Sequence, residues 1–196
     1  MWSHITRDWN EHEKQGLEGW RQKGLIPCQG PRRAFVNGML HFIISGQDEI
    51  AAVGVQRTTE KLVPVPKAAE GNCWRVPGCI AQSQGRLHYI NQESDARLSI
   101  WVLQDYDADK WVLKDRVKLF GENRYMGWEN GFHVIAMHPD GNVVFIVQSW
   151  DLKLTAYHMD HKPVRVISTL KEGSCIAHIV PYVPNFLGLS VLINKY

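Results

Sequence analysis

The sequence predicts an all-β fold, a partial, open β-propeller of about three four-stranded antiparallel blades of the kelch-like kind. Three observations carry this expectation. Short runs rich in Val, Ile, Leu, Tyr, Phe and Trp alternate with polar residues and are broken by Gly, Pro, Asn or Asp, the pattern of many short strands joined by turns. A frame Ala-x-x-x-Gly-x-Leu-His-aromatic-Ile occurs twice, as AFVNGMLHFI (34–43) and AQSQGRLHYI (81–90), with Gly38 and Gly85 47 residues apart. A weaker third copy, HPDGNVVFIV (138–147), places Gly141 a further 56 residues on.

Each copy is followed by a second apolar run, which begins 12, 13 and 13 residues after its glycine, at Ile50, Leu98 and Leu154. These runs cover 50–55, 98–103 and 154–159, and a further strand closes each unit at 61–65, 111–114 and 164–167. A period of about 50 residues with three or four strands fits a propeller blade better than any helical repeat. Gly38, Gly85 and Gly141 are expected to supply positive φ in tight turns. Closed propellers hold roughly four to eight blades, so about three leave flanks open, and self-association through free blade edges is expected. Residues 31–196 are assigned to this propeller portion, and residues 1–30 to an incomplete N-terminal blade remnant or irregular segment. Helix is plausible only over 8–23, and Gly16 and Gly19 oppose it there.

Composition removes several function classes. The 22 Lys+Arg and 20 Asp+Glu leave a net charge of +2, with the basic residues scattered, so the electrostatic footprint of a nucleic-acid binder is missing. The first residues, Met1 to Asp8, carry charge where a signal peptide needs an apolar run, and no stretch has the length of a membrane-spanning helix. A cytoplasmic or nuclear location is expected, with no nucleic-acid and no membrane partner. Cys28, Cys73, Cys79 and Cys175 form no C-x-x-C pair and read as reduced, mostly buried thiols.

Candidate sites are few. Asp105, Asp107 and Asp109 have the acidic spacing of a calcium loop, but Lys110 stands where that loop needs glycine, so a solvated hairpin tip is expected instead. His158, Asp160 and His161, with His133, His138 and His178, are possible zinc or iron ligands by type and not by spacing. His41 and His88 occupy equivalent repeat positions, which suggests an architectural role. No metal and no cofactor are therefore expected. Nucleophile-elbow, phosphate-loop and H-E-x-x-H motifs are missing, so catalytic residues are expected to be none. Among the tryptophans, Trp74, Trp101 and Trp111 lie in strand-like runs and read as packing residues. Trp128 sits instead in the loop 121–131 between two blades, and Arg124, Tyr125 and Trp128 are the candidate partner-binding residues, being of the types that anchor interfaces.

The phrases AFVNGMLHFI, AQSQGRLHYIN, LSIWVLQDYDADKWVLKDRVKLFG and FHVIAMHPDGNVVFIV, followed by KLTAYHMD, resemble the F-box-associated domains of plant, particularly grass, F-box proteins. The resemblance covers roughly residues 33–184 and rests on the order of the phrases. It implies a kelch-like propeller that recruits substrates as half of an F-box subunit of an SCF ubiquitin ligase. Residues 1–30 show nothing like the Leu-Pro start of an F-box, so adaptor binding is expected only if an F-box is supplied, and the target protein is unknown. Two functions of different class follow: a non-enzymatic protein-interaction domain, and a metal-assisted or hydrolytic enzyme on a propeller scaffold. Fold alone does not choose between them, and the missing catalytic motifs favour the first.

Overall fold

A computed structural model describes residues 33–44, 49–54, 60–66, 78–92, 97–119 and 132–174. The readings of residues 1–30, of the loop 121–131, of Trp74 and of Cys28, Cys73, Cys175 and His178 fall outside these residues. The described chain contains twelve strands and no helix. They form three four-stranded antiparallel sheets, each an up-and-down meander of consecutive strands. The first sheet comprises β1 (Arg33–Val36), β2 (Met39–Ile43), β3 (Glu49–Gly54) and β4 (Glu60–Pro64). The second comprises β5 (Cys79–Ser83), β6 (Arg86–Gln92), β7 (Arg97–Asp105) and β8 (Lys110–Lys118). The third comprises β9 (Phe132–Met137), β10 (Val143–Gln148), β11 (Lys153–His158) and β12 (Val164–Thr169). The sheets stack as consecutive blades, with their first strands innermost: β1 packs on β5 and β5 on β9.

Two of the repeat glycines do what the sequence predicts. Val36 pairs with Met39 and Ser83 with Arg86 across two-residue turns. Their central residues, Asn37-Gly38 (φ 53° and 74°) and Gln84-Gly85 (φ 51° and 68°), all have positive φ, as a type I′ hairpin demands. Gly141 differs. It is absent from the positive-φ positions, because its connection is longer: His138 N–H donates to the Val143 carbonyl at 2.8 Å, and Asp140 N–H to the His138 ring Nδ1 at 3.1 Å. The extra residues, with a register shift between Phe145 and Ile146 against β9, move the third copy out of step. Aligned by glycine, Val144 answers to His41 and His88, yet it faces the opposite flank of its sheet, since a slip of one residue turns every side chain over.

Alternation along the strands gives every blade two apolar faces. Between the first and second blades lie Ala34, Val36, Ile43, Ile50 and Val63 against Ile80, Leu87, Tyr89 and Leu103, with Trp101 and Trp111 packed alongside. Between the second and third lie Cys79, Ala81, Ile90, Leu98 and Ile100 against Phe132, Val144, Ile146 and Tyr157. Burial of such side chains is worth about 1.5–3 kcal/mol each, so these two seams hold the array together. Trp101 and Trp111 thus pack as predicted, and Cys79 is buried, its thiol directed to the Ile80 carbonyl at 3.6 Å. The far flank of the first sheet repeats the apolar pattern but is partly open. Leu87 is 1% exposed against the first blade, whereas its repeat equivalent Leu40 is 39% exposed, next to Phe35 and Leu62 on the same face. The outer strand β12 is exposed along its whole length.

Candidate functional site

In an up-and-down meander the first and third connections of every sheet emerge at one end. Here that end carries the turns 37–38, 84–85, 106–109, 138–142 and 159–163. The turns of neighbouring blades touch: Gln84 N–H donates to the Pro139 carbonyl at 2.5 Å, and the Ser83 hydroxyl to the Gly141 carbonyl at 3.2 Å. Polar side chains just inside these turns form two clusters, one in each seam.

The first cluster joins the Asp105–Asp109 hairpin tip to the first blade. The Asp105 carboxylate accepts the Asp107 and Ala108 amides at 3.0 Å each, folding the tip into an Asx-type turn. This lets Tyr106 reach back to the first blade. His41, 0% exposed, gives its Nδ1–H to the Ala34 carbonyl at 3.3 Å, which leaves Nε2 to accept the Tyr106 hydroxyl at 2.9 Å. Lys61 of β4 lies over the Tyr106 ring, 4.6 Å from its centre, bonds the Tyr106 carbonyl, and pairs with Asp109 at 2.8 Å. Trp111 Nε1–H donates to the Pro64 carbonyl at 2.8 Å. Burial lowers the His41 pKa, and raises that of Tyr106 with help from Asp109 and Asp107. The tip is therefore more than a solvated turn: Asp105 folds it, and Tyr106 and Asp109 lock one blade to the next.

The second cluster lies between the second and third blades. The Tyr157 hydroxyl donates to Asp115 Oδ2 at 2.6 Å, while Lys162 and the Arg116 amide bond Oδ1. Burial presses the Asp115 carboxyl upward, but these three donors outweigh it and hold the group below its ordinary range. Burial, and then the Asp115 charge, push the Tyr157 phenol well above its usual value. Nearer the turns, Lys114 Nζ donates to Asn142 Oδ1 at 2.6 Å, and Asn142 Nδ2 to Asp160 Oδ1 at 2.7 Å. His88, also 0% exposed, gives Nδ1–H to the Arg86 carbonyl at 3.2 Å. Its pKa falls to about 4, through burial first and the Lys114 charge second. Its Nε2 has no partner.

The described histidines considered as metal ligands do not converge. His133 is the second residue of β9 and His138 follows its end, both exposed, while His158 ends β11 and His161 lies in the β11–β12 turn. Among the described residues no group of three or more His, Cys, Asp or Glu side chains could hold a metal ion. Arg124, Tyr125 and Trp128 lie outside the described residues. Sequence reasoning missed Tyr106, Lys61, Arg86 and Lys114, for each is an ordinary strand or turn residue whose partner stands in another blade or which has none.

No family model matches the chain. Over 88 residues it is 33% identical to an F-box protein of Arabidopsis thaliana, a stretch that covers 43% of this chain and 24% of that protein's length. The likeness is to F-box proteins in general. A solved structure of hydrazine synthase from Kuenenia stuttgartiensis overlays 72% of this chain and 36% of its own at a TM-score of 0.40 and 16% identity. One of a nidogen/laminin complex overlays 67% and 60% at 0.38 and 10%. Neither overlay carries weight for function.

Proposed function

We propose that this chain is a non-enzymatic protein-interaction domain, the substrate-recruiting portion of an F-box subunit of an SCF ubiquitin ligase, working in the cytoplasm or nucleus. The observation that carries the reading is the 33% identity over 88 residues to an F-box protein. The blade architecture supports it, because stacked sheets hold a row of turns rigidly at one end, which is how a scaffold presents recognition residues. In this reading the blades belong to the kelch-like, F-box-associated class and resemble its grass members in phrasing. Arg124, Tyr125 and Trp128 remain candidate contacts, and Phe35, Leu40 and Leu62 are where self-association would run.

The test is reconstitution. A protein captured by the purified chain is itself purified, and the chain is fused behind an F-box module and assembled with adaptor, cullin and RING subunits. Ubiquitin transfer to the captured protein by the fusion, and none by the chain alone, is the expected result. A tightly bound protein that the assembled fusion leaves unmodified would overturn the ligase role, and turnover of a small substrate by the chain alone would overturn the non-enzymatic one.

A further inference from the structure

The two seams are built on the same plan but are completed differently. In the first, His41 Nε2 receives the Tyr106 hydroxyl from the following blade. In the second, two turns of the third blade bring Asn142 and Asp160 instead of a tyrosine, and the equivalent atom, His88 Nε2, is buried with no partner. Charge is likewise incomplete there. Arg86 opens β6 directly after the Gln84-Gly85 turn, is exposed, and among the described residues makes no hydrogen bond or ion pair from its guanidinium. Among the described residues Lys114 spends its side-chain hydrogen bond on a neutral amide, Asn142 Oδ1 at 2.6 Å, and the Asp160 carboxylate is engaged by the other end of that amide. Two cations among the described residues thus stand beside a buried imidazole, with the Asp160 carboxylate linked to Lys114 through Asn142.

We infer that Arg86 and Lys114, at the turn end of the second seam beside the open Nε2 of His88, form a recognition point for an acidic group on a partner protein. This rests on the protein-interaction reading above and names the chemistry it takes. An arriving carboxylate or phosphate accepts the free guanidinium in a two-pronged, charge-assisted contact and completes the shell of Lys114. Lys114 is half-buried: burial works against its charge first, the Asp160 carboxylate partly offsets this, and Arg86 adds to it, so an anion at this point relieves what Asp160 leaves. His88 takes part by linkage. An added negative charge offsets the Lys114 field, so the imidazole binds a proton more readily when the anion is present.

The test uses the full chain and fluorescein-labelled hexaglutamate, with a labelled phosphoserine-containing peptide and a neutral hexaglutamine peptide as the other arms. Both acidic peptides are expected to bind and the neutral one not, with affinity falling as salt rises. Arg86→Gln and Lys114→Gln should each weaken binding at least about tenfold, by loss of a charged hydrogen bond. Lys110→Gln, an exposed lysine elsewhere at the same end, should change it less than about twofold. The Arg86 side chain has no hydrogen bond or ion pair among the described residues to lose, so its variant keeps the fold, which thermal unfolding checks. In a second readout the His88 ring, followed by NMR, should titrate higher with hexaglutamate bound. Equal binding by Arg86→Gln and the parent, or equal losses in all three variants, would overturn the inference. If a captured protein binds the parent and Arg86→Gln equally, this point is refuted while the protein-interaction reading stands. If nothing is captured but the peptide effects hold, the reverse follows.

Discussion

The Tyr106 hydroxyl and His41 Nε2 meet at 2.9 Å across 65 residues of chain, joining a hairpin tip of the second blade to the second strand of the first. The rings stand edge to face, 5.6 Å between centres, and Met39 Sδ lies 3.7 Å from the same hydroxyl. The Tyr106–His41 contact joins the Lys61–Asp109 pair and the Trp111–Pro64 hydrogen bond in holding the tip to the neighbouring blade. Tyr106→Phe is expected to cost about 1–2 kcal/mol, because it strands a buried ring nitrogen while keeping the ring in place. Urea unfolding followed by tryptophan fluorescence checks this, and an unchanged midpoint would contradict it.

Stability should fall in acid for a stated reason. His88 has a folded pKa of about 4 against about 6.5 unfolded, so its contribution is complete above pH 6.5 and is lost as pH falls toward 4. His41 is shifted in the same direction. The His88 difference corresponds to about 3 kcal/mol at most. His88→Leu should flatten the dependence of the urea midpoint on pH between 6.5 and 4, and a slope as steep as the parent's would show that another group titrates.

The Asp115–Tyr157–Lys162 cluster makes its own pH signature. The Asp115 carboxyl is held below its unfolded value of about 3.9, so its stabilisation is present above that pH and disappears as pH falls through the lower folded pKa. The Tyr157 phenol is shifted upward, so its contribution is complete below about pH 10 and drains away as pH rises further. Ultraviolet titration should show Tyr157 ionising only as the chain unfolds in alkali. Tyr157→Phe, which leaves the buried Asp115 with Lys162 and an amide, is expected to cost about 1.5–3 kcal/mol near neutrality.

Glycine substitutions distinguish the turns. Gly38→Ala places a side chain at φ 74° and should cost about 1 kcal/mol, whereas Gly141→Ala has ordinary backbone and meets only the His138 ring, Nδ1 at 3.2 Å. Gly78→Ala is the severe case. Its Cβ would stand 2.4 Å from the Tyr89 ring, which is itself packed edge-on to Trp111, so about 1–3 kcal/mol and a shift in tryptophan emission are expected. Calorimetry of the three variants should rank Gly78→Ala worst and Gly141→Ala mildest; any other order would contradict the turn assignments.

Local signals were legible and distant ones were not. The Asn37-Gly38 and Gln84-Gly85 turns, and the strands they join, follow from residues a few places apart, so the sequence suffices to predict them. The equivalence of His41 and His88 was also readable, and both prove fully buried at the seams. Gly141 misled because a glycine marks a turn without stating its length, and a longer connection turned the strand over. The Asp105–Asp109 tip was recognised as a turn, but its hold on Lys61 and His41 depends on the stacking of blades. Arg86 and Lys114 left no signal, since a lone cation in a strand looks the same whether or not it has a counter-charge.

The central claim is that a rigid stack of blades offers its turn end to a protein partner, and hydrogen–deuterium exchange of the chain with and without a captured, purified partner tests it most directly. The account predicts slowed exchange on binding at residues 84–86, 106–110, 138–142 and 159–162, with the inner strands β1, β5 and β9 unchanged. Protection confined to the exposed edge strand β12 or to the flank carrying Phe35, Leu40 and Leu62, with the turns unaffected, would contradict it.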